Sequence, residues 1–326
     1  MSNLRVAVCC LGLAALAIIT STRAFAGTLR LAIQKTGTVA WELDVIRAHG
    51  LDRKAGLTIK TLELASPEAG KIALRGGSAD VIVADWLWVS RERDLGAKLE
   101  FYPYSSALGA VMVPSNSSIK GLVDLKGKRL AVAGGPIDKS WLLLQATAKK
   151  NGIDLAAQAK VVYGAPALLA GKMLQGSMDA MLNYWNFCAR LEAKGFRRVV
   201  GIDTLLPQFG VSGRLSMVGY VFDEAFAAAH PKTLAAFLGA TREAKHILLT
   251  SDAEWQRLAL LTGAPDAATL KIYRDRYRQG IPLRPVAQEE ANARVLYRVL
   301  AGLGGEALVG PGKELAPGTF YRPLAD

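Results

Sequence analysis

Cysteine and histidine are both scarce in this sequence, which holds three of each among 326 residues. Cys9 and Cys10 lie in an apolar N-terminal segment, so Cys188 is the single cysteine of the remaining chain. One cysteine cannot form an internal disulfide, and the scattered histidines lack zinc-ligand spacing. The sequence therefore predicts neither a disulfide-stapled fold nor a metal site, and Cys188 is expected to be a small buried hydrophobic residue.

Acidic residues are absent from the first 26 positions. There Arg5 precedes the apolar run VAVCCLGLAALAII, and AFA at positions 24–26 fits the small-x-small pattern of a cleavage site. The run is short for a membrane anchor. We therefore expect a secretory signal peptide over residues 1–26, cleaved near Ala26, and an exported, soluble mature protein.

Acidic residues are also outnumbered in the whole chain, by 28 to 40. Arg5 and Arg23 fall in the expected signal peptide, so its removal lowers the formal net charge from +12 to +10. The basic residues are spread along the chain, whereas nucleic-acid binding favours a concentrated stripe and a reading motif. We expect no nucleic-acid partner, and only a modest attraction to anionic solutes or to a membrane surface.

Motifs of the common enzyme classes are missing as well. The sequence has no nucleophile elbow, no P-loop and no HExxH, and the Gly-Gly after LAVA lacks the spacing of a dinucleotide fingerprint. These absences argue against an enzyme and against a bound cofactor.

From Thr28 onward the sequence alternates short β-rich runs with helical segments. TLRLAI, LTIKTLEL and ADVIVA are typical of strands, and Ser66-Pro67 begins one of the helices between them. This alternation predicts an α/β fold with mainly parallel sheets flanked by helices. In such sheets ligands bind beyond the carboxyl ends of the strands.

The pattern repeats about a hundred residues later. KRLAVA matches LRLAI, GGPIDKSW matches KTGTVAW, and GKMLQGSMDAMLNYWNF matches GKIALRGGSADVIVADWLW. In both copies a tryptophan lies six residues after an aspartate, as Asp80 and Trp86 and as Asp179 and Trp185. We infer two similar α/β lobes, with ligand-binding loops after the strands that end near positions 33, 84, 133 and 182.

The predicted division of the chain is discontinuous. The first lobe is expected to comprise residues 27–113 and 215–326, with the C-terminal helices packed on it, and the second lobe residues 114–214. PSNSS marks the first connection, and SMVGYVFDEAF has the pattern of a strand that returns to the first lobe. The chain would thus cross between the lobes twice.

Four phrases follow one another along the chain: GLDRKAGLTIKTLEL, GKIALRGGSADVIVA, SSIKGLVDLKGKRLAVAGG and GKMLQGSMDAML. Together they resemble the solute-binding proteins of ABC importers in the nitrate, alkanesulfonate, taurine and thiamine-precursor group, over about residues 28–250. The resemblance implies a two-lobed, type II periplasmic-binding-protein fold with two hinge crossings. It also implies that a small-molecule solute is enclosed by hinge closure and passed to an ABC permease with its ATPase in the inner membrane. We expect a monomer.

The loops at the strand ends supply the candidate ligand-binding residues. Those of the first lobe are Gln34, Lys35, Thr36, Thr38, Trp41, Asp85, Trp86, Trp88 and Ser106, and those of the second are Gly135, Asp138, Lys139, Trp141, Asn183, Tyr184 and Trp185. Helix starts near Thr38 and Ser140 are expected to bring unpaired N–H groups to the cleft, which suits an anionic group. The rings suit a flat, apolar or cationic ligand.

Several candidates have a structural alternative. Trp41 and Trp141 lie in first helical turns, where they can pack a helix on its sheet instead of touching a ligand. One of Trp86 and Trp88 is expected to face the core, because alternate residues point in opposite directions. Asp85 can cap the helix that follows it.

The expected solute is a small organic molecule of the aromatic, heterocyclic, amine or sulfonate type. Asp85 with its neighbouring rings makes a bulky, acidic entry, where the simple oxyanion binders of the group that this chain resembles usually keep small residues. This difference disfavours nitrate, a sulfonate or taurine, and it favours an aromatic, heterocyclic or amine-bearing solute. A metal-bearing ligand has little support, because few carboxylates collect near the cleft. Two alternatives remain: an exported ligand sensor without a permease, and an exported enzyme on the same fold that acts on a small heterocycle.

Overall fold

The computed structural model describes residues 27–34 and 37–323. The expected signal peptide and the candidates Lys35 and Thr36 therefore lie outside the described residues. The strands of the described part are β1 (Gly27–Gln34), β2 (Leu57–Leu64), β3 (Val81–Asp85), β4 (Leu99–Ser105), β5 (Ala110–Val113), β6 (Arg129–Ala133), β7 (Lys160–Gly164), β8 (Ala180–Asn183), β9 (Arg197–Gly201) and β10 (Val218–Asp223).

Helices connect and cover these strands. The α-helices are α1 (Val39–Ala48), α2 (Leu51–Lys54), α3 (Pro67–Arg75), α4 (Trp86–Asp94), α5 (Lys139–Lys150), α6 (Leu155–Gln158), α7 (Pro166–Leu174), α8 (Trp185–Glu192), α9 (Glu224–Ala229), α10 (Pro231–Thr250), α11 (Asp252–Arg257), α12 (Ala259–Thr262), α13 (Ala267–Gln279) and α14 (Val286–Val309). Short 3-10 helices lie at Leu122–Leu125 and Ile202–Phe209. Over residues 27–34 and 37–323, the helices lack the combined length and hydrophobicity that a membrane span requires.

The strands form two five-stranded mixed sheets with the same layout. The first sheet has the order β2-β1-β3-β10-β4, and the second has the order β7-β6-β8-β5-β9. In each sheet the first three strands pair in parallel, and the fourth strand is antiparallel to both of its neighbours. We call the first sheet with the helices packed on it the first lobe, and the second sheet with its helices the second lobe. The predicted α/β, two-lobed type II fold is confirmed.

The repeat extends to an ion pair at the same place in each sheet. The backbone N–H of Arg30 donates to Oδ2 of Asp80 at 2.7 Å, and that of Arg129 donates to Oδ2 of Asp179 at 2.8 Å. Each arginine side chain also pairs with the same carboxylate. Because each aspartate directly precedes β3 or β8, the pair joins adjacent parallel strands at the edge away from their carboxyl ends.

The first crossing between the sheets differs from its expected position. We expected Val113 to end the first lobe, but Ala110–Val113 pairs with β8 and β9 of the second sheet. All four residues of this strand are buried, as expected for an apolar run in the interior of a sheet that is covered on both faces. The chain therefore crosses at residues 106–109, and the PSNSS segment follows the first strand of the new sheet.

The chain returns to the first sheet as β10, which lies between β3 and β4. The C-terminal helices that follow contact both lobes. Helix α13 packs against α8 of the second lobe, while α14 contacts α4 of the first lobe and α5 of the second. These helices thus cover one side of the cleft, where the sequence analysis placed them on the first lobe alone.

Candidate functional site

A cavity of about 340 Å³ lies between the lobes, at the carboxyl ends of β1 and β3. The first lobe contributes Thr38 and Asp85 to its wall, the second lobe contributes Lys139 and Tyr184, and the crossing segment 107–109 lies on its hinge side. Small-molecule pockets typically have volumes of about 300–1,000 Å³. The cavity therefore has the size and the topological position of a ligand site in a doubly wound sheet.

An ion pair joins the two lobes at this cavity. Nζ of Lys139, the first residue of α5, lies 3.3 Å from Oδ2 of Asp85, the last residue of β3. Asp85 also accepts a 2.9 Å hydrogen bond from the N–H of Trp88 and so caps α4. Burial alone would raise the pKa of Asp85, but the Lys139 ammonium and the Trp88 N–H together hold that pKa below its ordinary value. Asp85 is thus ionised and already paired.

Asp138 occupies the start of α5. Its Oδ1 atom accepts from the N–H groups of Ser140 (2.9 Å) and Trp141 (3.2 Å), and the Tyr184 hydroxyl lies 3.4 Å from its Oδ2 atom. Burial raises the pKa of Asp138 although Lys139 and the two N–H groups act against it. The expected unpaired N–H groups near Ser140 are therefore a wrong prediction, since a carboxylate of the chain itself fills this helix start.

Two other helix starts at the cavity have no side-chain cap. Thr38 precedes α1 without capping it, because its Oγ1 atom lies instead 3.1 Å from the Tyr104 hydroxyl. Tyr184 precedes α8 and cannot cap it. Thr38 and Val39 of the first lobe and Trp185 of the second all line the cavity. Two positive helix ends from opposite lobes thus face one space, and this arrangement favours an anionic group.

The structure brings together half of the predicted site residues that it describes, seven of fourteen. Those that line the cavity are Gln34, Thr38, Asp85, Asp138, Lys139, Tyr184 and Trp185. Ser106 and Asn183 are buried beside it. The backbone N–H and the hydroxyl group of Ser106 both donate to the Gly280 carbonyl oxygen, and the Asn183 amide donates to the Pro166 carbonyl oxygen. These contacts give both side chains a structural role.

Four of the five candidate tryptophans lie away from this cavity. Trp86 is 0% exposed and Trp141 is 1% exposed, and both belong to the hydrophobic core. Trp41 and Trp88 are also buried. The expectation that one of Trp86 and Trp88 faces the core treated the segment as a strand, whereas both residues lie in α4, which packs between the first sheet and α14.

Trp185 is the exception, and it makes an aromatic contact between the lobes. Its ring centroid lies 6.2 Å from that of Trp41 at an interplanar angle of 85°, and 6.2 Å from that of Tyr277. Trp41 in turn contacts Trp255 and Tyr273 of the C-terminal helices. Edge-to-face ring pairs are favourable contacts beyond their buried area. The cluster therefore stabilises the observed arrangement of the two lobes.

Sequence reasoning missed a further loop of the first lobe. Leu64, Ser66 and Pro67 line the cavity at the junction of β2 and α3. The signal was present, since Ser66-Pro67 directly follows a strand whose carboxyl end lies on the same sheet edge. Tyr104 and Met217 also line the cavity, but their places depend on how β4 and β10 pair in the sheet, which no local pattern reveals.

A second cavity, of about 240 Å³, lies on the other side of the Asp85–Lys139 pair. The predicted site residues Trp88 and Gly135 line it, together with Lys71. Nζ of Lys71 lies 5.2 Å from the centroid of the Trp88 ring, within the range of a cation–π contact. The ion pair thus divides the cleft into two compartments.

Among the described residues, neither a cysteine nor a histidine lines the two cavities of the cleft. Cys188 is buried, and burial raises the pKa of its thiol to about 11. His49 lies 3.1 Å from Glu254 in the C-terminal helices. Within residues 27–34 and 37–323, no group of three or more His, Cys, Asp and Glu side chains is placed to hold a metal ion.

Comparison with solved structures supports the fold. The alkanesulfonate-binding protein SsuA from Xanthomonas axonopodis pv. citri bound to MOPS is 22% identical, with 90% of this chain and 98% of that chain covered and a TM-score of 0.67. The periplasmic aliphatic sulphonate binding protein SsuA from Escherichia coli is 21% identical, with 91% and 92% covered and a TM-score of 0.70. The desulfurization enzyme DSZB is 14% identical, with 88% and 97% covered and a TM-score of 0.58.

No curated protein sequence matches the chain. The model of the family described as NMT1/THI5 like matches residues 46–254. The predicted resemblance to the binding proteins of ABC importers is confirmed by this match together with the sulfonate-binding neighbours. Because the family model spans more than half of the 326 residues, the chain belongs to the NMT1/THI5-like family.

Proposed function

We propose that this chain is the periplasmic solute-binding component of an ABC importer, and that it encloses a small organic anion in the cavity between its lobes. The observation that carries the proposal is a cavity of about 340 Å³ whose wall comes from both lobes. A ligand that contacts both lobes stabilises the closed state over the open one, which is how hinge-bending binding proteins respond to their solutes.

The preference for an anion rests on two helix ends and on one ammonium, from which the solute must displace the Asp85 carboxylate. The uncapped starts of α1 and α8 face the cavity from opposite lobes, and the Lys139 ammonium lines the same wall. Asp85 and Asp138 also line it, but Asp85 is paired with Lys139 and Asp138 is bonded to the first turn of α5. The Asp85 carboxylate and the Oδ1 atom of Asp138 are therefore already occupied by partners within the chain.

The rest of the wall supports an organic body on that anion. Ile33, Val39, Val83, Met217 and Val218 contribute apolar surface to the cavity. An inorganic oxyanion would leave this surface without contact, and burying apolar groups against it favours an organic ligand by about 25 cal/mol per Å². With most of the predicted tryptophan wall in the core, the case for a large aromatic solute is weaker. Organosulfonates and organic carboxylates are the first candidates.

Binding without chemistry is the proposed mode of action. Among the described residues, the cavity wall includes neither a cysteine nor a histidine. The one cysteine of the described chain has a raised thiol pKa and lies in the core of the second lobe. The fold shared with the enzyme DSZB gives no residue-level support for catalysis here. Export to the periplasm rests on the signal peptide pattern over residues 1–26.

The first experiment is native mass spectrometry of the protein as purified from its own periplasm, followed by calorimetric titration of the emptied protein. The buffer must contain no sulfonate, so that the buffer itself does not occupy the cleft. We expect butanesulfonate or butyrate to bind and butylamine of the same chain length not to bind. Binding of the amine alone would contradict the proposal that the solute is an anion. A native protein that carries no solute and binds none of the three compounds would contradict the proposal that the chain is a solute receptor.

A matched pair of variants tests whether the solute occupies this cavity. Lys139→Met removes the ammonium from the cavity wall, and Lys149→Met removes an exposed ammonium from the same helix. Both variants have the same net charge. We expect Lys139→Met to weaken binding and Lys149→Met to leave it unchanged.

A further inference from the structure

A small pocket lies behind the hinge, and three arginines converge on it. Its volume is about 30 Å³, and it is lined by Arg198, Arg214 and Arg276, by Asp203 and by the crossing segment 106–108. We call it the hinge pocket. Arg198 belongs to β9 of the second lobe, Arg276 to α13, and Arg214 to the second crossing. The pocket therefore lies where both crossings pass between the lobes.

Arg198 lines this pocket, and two of its donors are buried beside it without a hydrogen-bond partner. Its Nε and Nη2 atoms are buried and have no hydrogen-bond acceptor among the described residues. The Nε atom lies 3.4 Å from Oε1 of Glu192, without hydrogen-bond geometry. The same Glu192 carboxylate is held by Arg276, whose Nε donates to Oε2 at 2.8 Å and whose Nη2 donates to Oε1 at 2.5 Å. Arg276 thus occupies the acceptor that Arg198 would need.

The local charge is unbalanced as well. Three guanidinium groups face two carboxylates, those of Glu192 and Asp203, which leaves one excess positive charge. Arg214 donates to the backbone carbonyl oxygen of Gln279 and not to a carboxylate. Buried donors on a charged group are costly to leave unsatisfied. One monovalent anion bound in the pocket would lie beside the Arg198 guanidinium and neutralise the excess charge.

The size of the pocket selects the kind of anion. A volume of about 30 Å³ exceeds the roughly 10–15 Å³ that a single water needs, and it is far below the volume of an organic-ligand site. Arg214 and Asp203 are exposed, so that an ion can enter from solvent. We propose that the hinge pocket binds a single small inorganic anion of the chloride class, held by Arg198 with Arg214 and Arg276.

The hinge pocket lies next to the main cavity and shares part of its lining. Ala107, Leu108 and Trp185 line both the hinge pocket and the main cavity, so only one layer of side chains separates them. The ion would also contact arginines from both sides of the hinge. The site itself does not depend on the proposed solute, and failure of every organic anion to bind in the cleft would leave the chloride expectation unchanged.

The test is the ³⁵Cl NMR line width of dilute sodium chloride in the presence of the mature protein, with sodium gluconate holding the ionic strength constant. Chloride that exchanges with a protein site gives excess broadening. We expect this excess in the wild-type protein, its displacement by sodium bromide, and at least about tenfold weaker binding in Arg198→Met, because a charge-assisted hydrogen bond is lost. Asp203→Asn should tighten binding, since it removes a negative charge from the pocket.

Arg298→Met is the matched control, because it removes one arginine from an exposed position on α14 and gives the same net charge as Arg198→Met. We expect it to retain the excess broadening. Circular dichroism establishes that each variant is folded, and Arg214→Met replaces Arg198→Met if the latter is not. Excess broadening that is absent in the wild-type protein, or equal in the wild-type protein and the folded pocket variant, would overturn the site.

Discussion

Nζ of Lys139 in the second lobe lies 3.3 Å from Oδ2 of Asp85 in the first, and this contact joins the lobes across the cavity. Burial would lower the pKa of Lys139, but the Asp85 and Asp138 carboxylates outweigh it and raise that pKa above its ordinary value. The ammonium is therefore charged, with a counterion supplied by the chain. An anionic solute must compete with Asp85 for it.

This competition predicts opposite effects for the two partners. Lys139→Met should weaken binding of an organic anion by about tenfold or more, because a hydrogen bond to a charged group is lost. Asp85→Asn should tighten binding, since asparagine still caps α4 while the ammonium becomes available to the solute. Calorimetric titration of both variants measures the two affinities. If both substitutions move the affinity in the same direction, the pair is not in competition with the solute.

The contact between Trp185 and Trp41 predicts an optical signal of closure. The two rings lie on different lobes and are in contact, so that movement of the lobes apart must separate them. We expect solute titration to change the intrinsic fluorescence, and Trp185→Phe to lose most of this change while it keeps the helix. Trp255→Phe is the control. Trp255 also contacts Trp41, but it lies in α11 of the C-terminal helices and not in the second lobe. If Trp185→Phe keeps the full fluorescence change, the change does not arise from the contact between Trp185 and Trp41.

The architecture could be predicted from the sequence because the sequence contains the same strand–loop–helix pattern twice. Each copy carries its own strand, loop and helix landmarks, and the two sheets accordingly have the same strand order. Even the Arg30–Asp80 pair recurs as Arg129–Asp179 at the same separation along the chain. Such agreement between local patterns and a repeated plan leaves few topologies open. The crossing was misplaced by a few residues, since a buried strand and a buried connection have the same apolar composition.

The site was predicted less well, because a position near a strand end does not fix the direction of a side chain. Asp85 was correctly given two alternatives, and the structure places it both at the helix cap and in the cavity wall. Trp86 follows it directly and yet points into the core, since α4 is covered by the sheet on one side and by α14 on the other. Only the long-range packing of α14 decides this, and α14 is two hundred residues away.

A buried ion pair beneath the cavity floor predicts a large stability effect. Glu42 is 1% exposed and pairs with Lys245, and the Tyr220 hydroxyl also donates to its carboxylate. Burial lowers the pKa of Lys245, against the effect of Glu42. Lys245→Met should lower the free energy of unfolding by about 3–5 kcal/mol, because it leaves the Glu42 carboxylate buried without a counterion.

The double variant Glu42→Gln with Lys245→Met removes both charges and should recover part of that loss. Guanidinium chloride unfolding, followed by circular dichroism, measures each free energy. Lys232→Met on the exposed start of α10 is the control, with an expected change within about 0.5 kcal/mol. A double variant no more stable than the Lys245 single variant would show that the loss comes from packing and not from the unpaired charge.

Glu100 in β4 predicts a pH dependence of stability. Burial, with a smaller contribution from the nearby Glu224 carboxylate, raises the pKa of Glu100 from 4.5 to about 7 against the effect of Arg93. A carboxyl group whose pKa is higher in the folded state binds its proton more tightly there. The contribution of Glu100 to stability is therefore fully present below pH 4.5, and it is lost as the pH rises to about 7.

Glu100→Gln removes this titration and keeps a neutral group of the same shape. The free energy of unfolding of the variant, relative to the wild-type protein, should rise by about 1–2 kcal/mol between pH 4.5 and pH 8, because partial solvent screening reduces the full effect of the pKa shift. Urea unfolding at a series of pH values measures the difference. Glu68→Gln removes a carboxylate that is 73% exposed and serves as the control, with an expected change in the free energy of unfolding within about 0.5 kcal/mol. A pH-independent difference for Glu100→Gln would mean that this carboxyl group titrates normally in the folded protein.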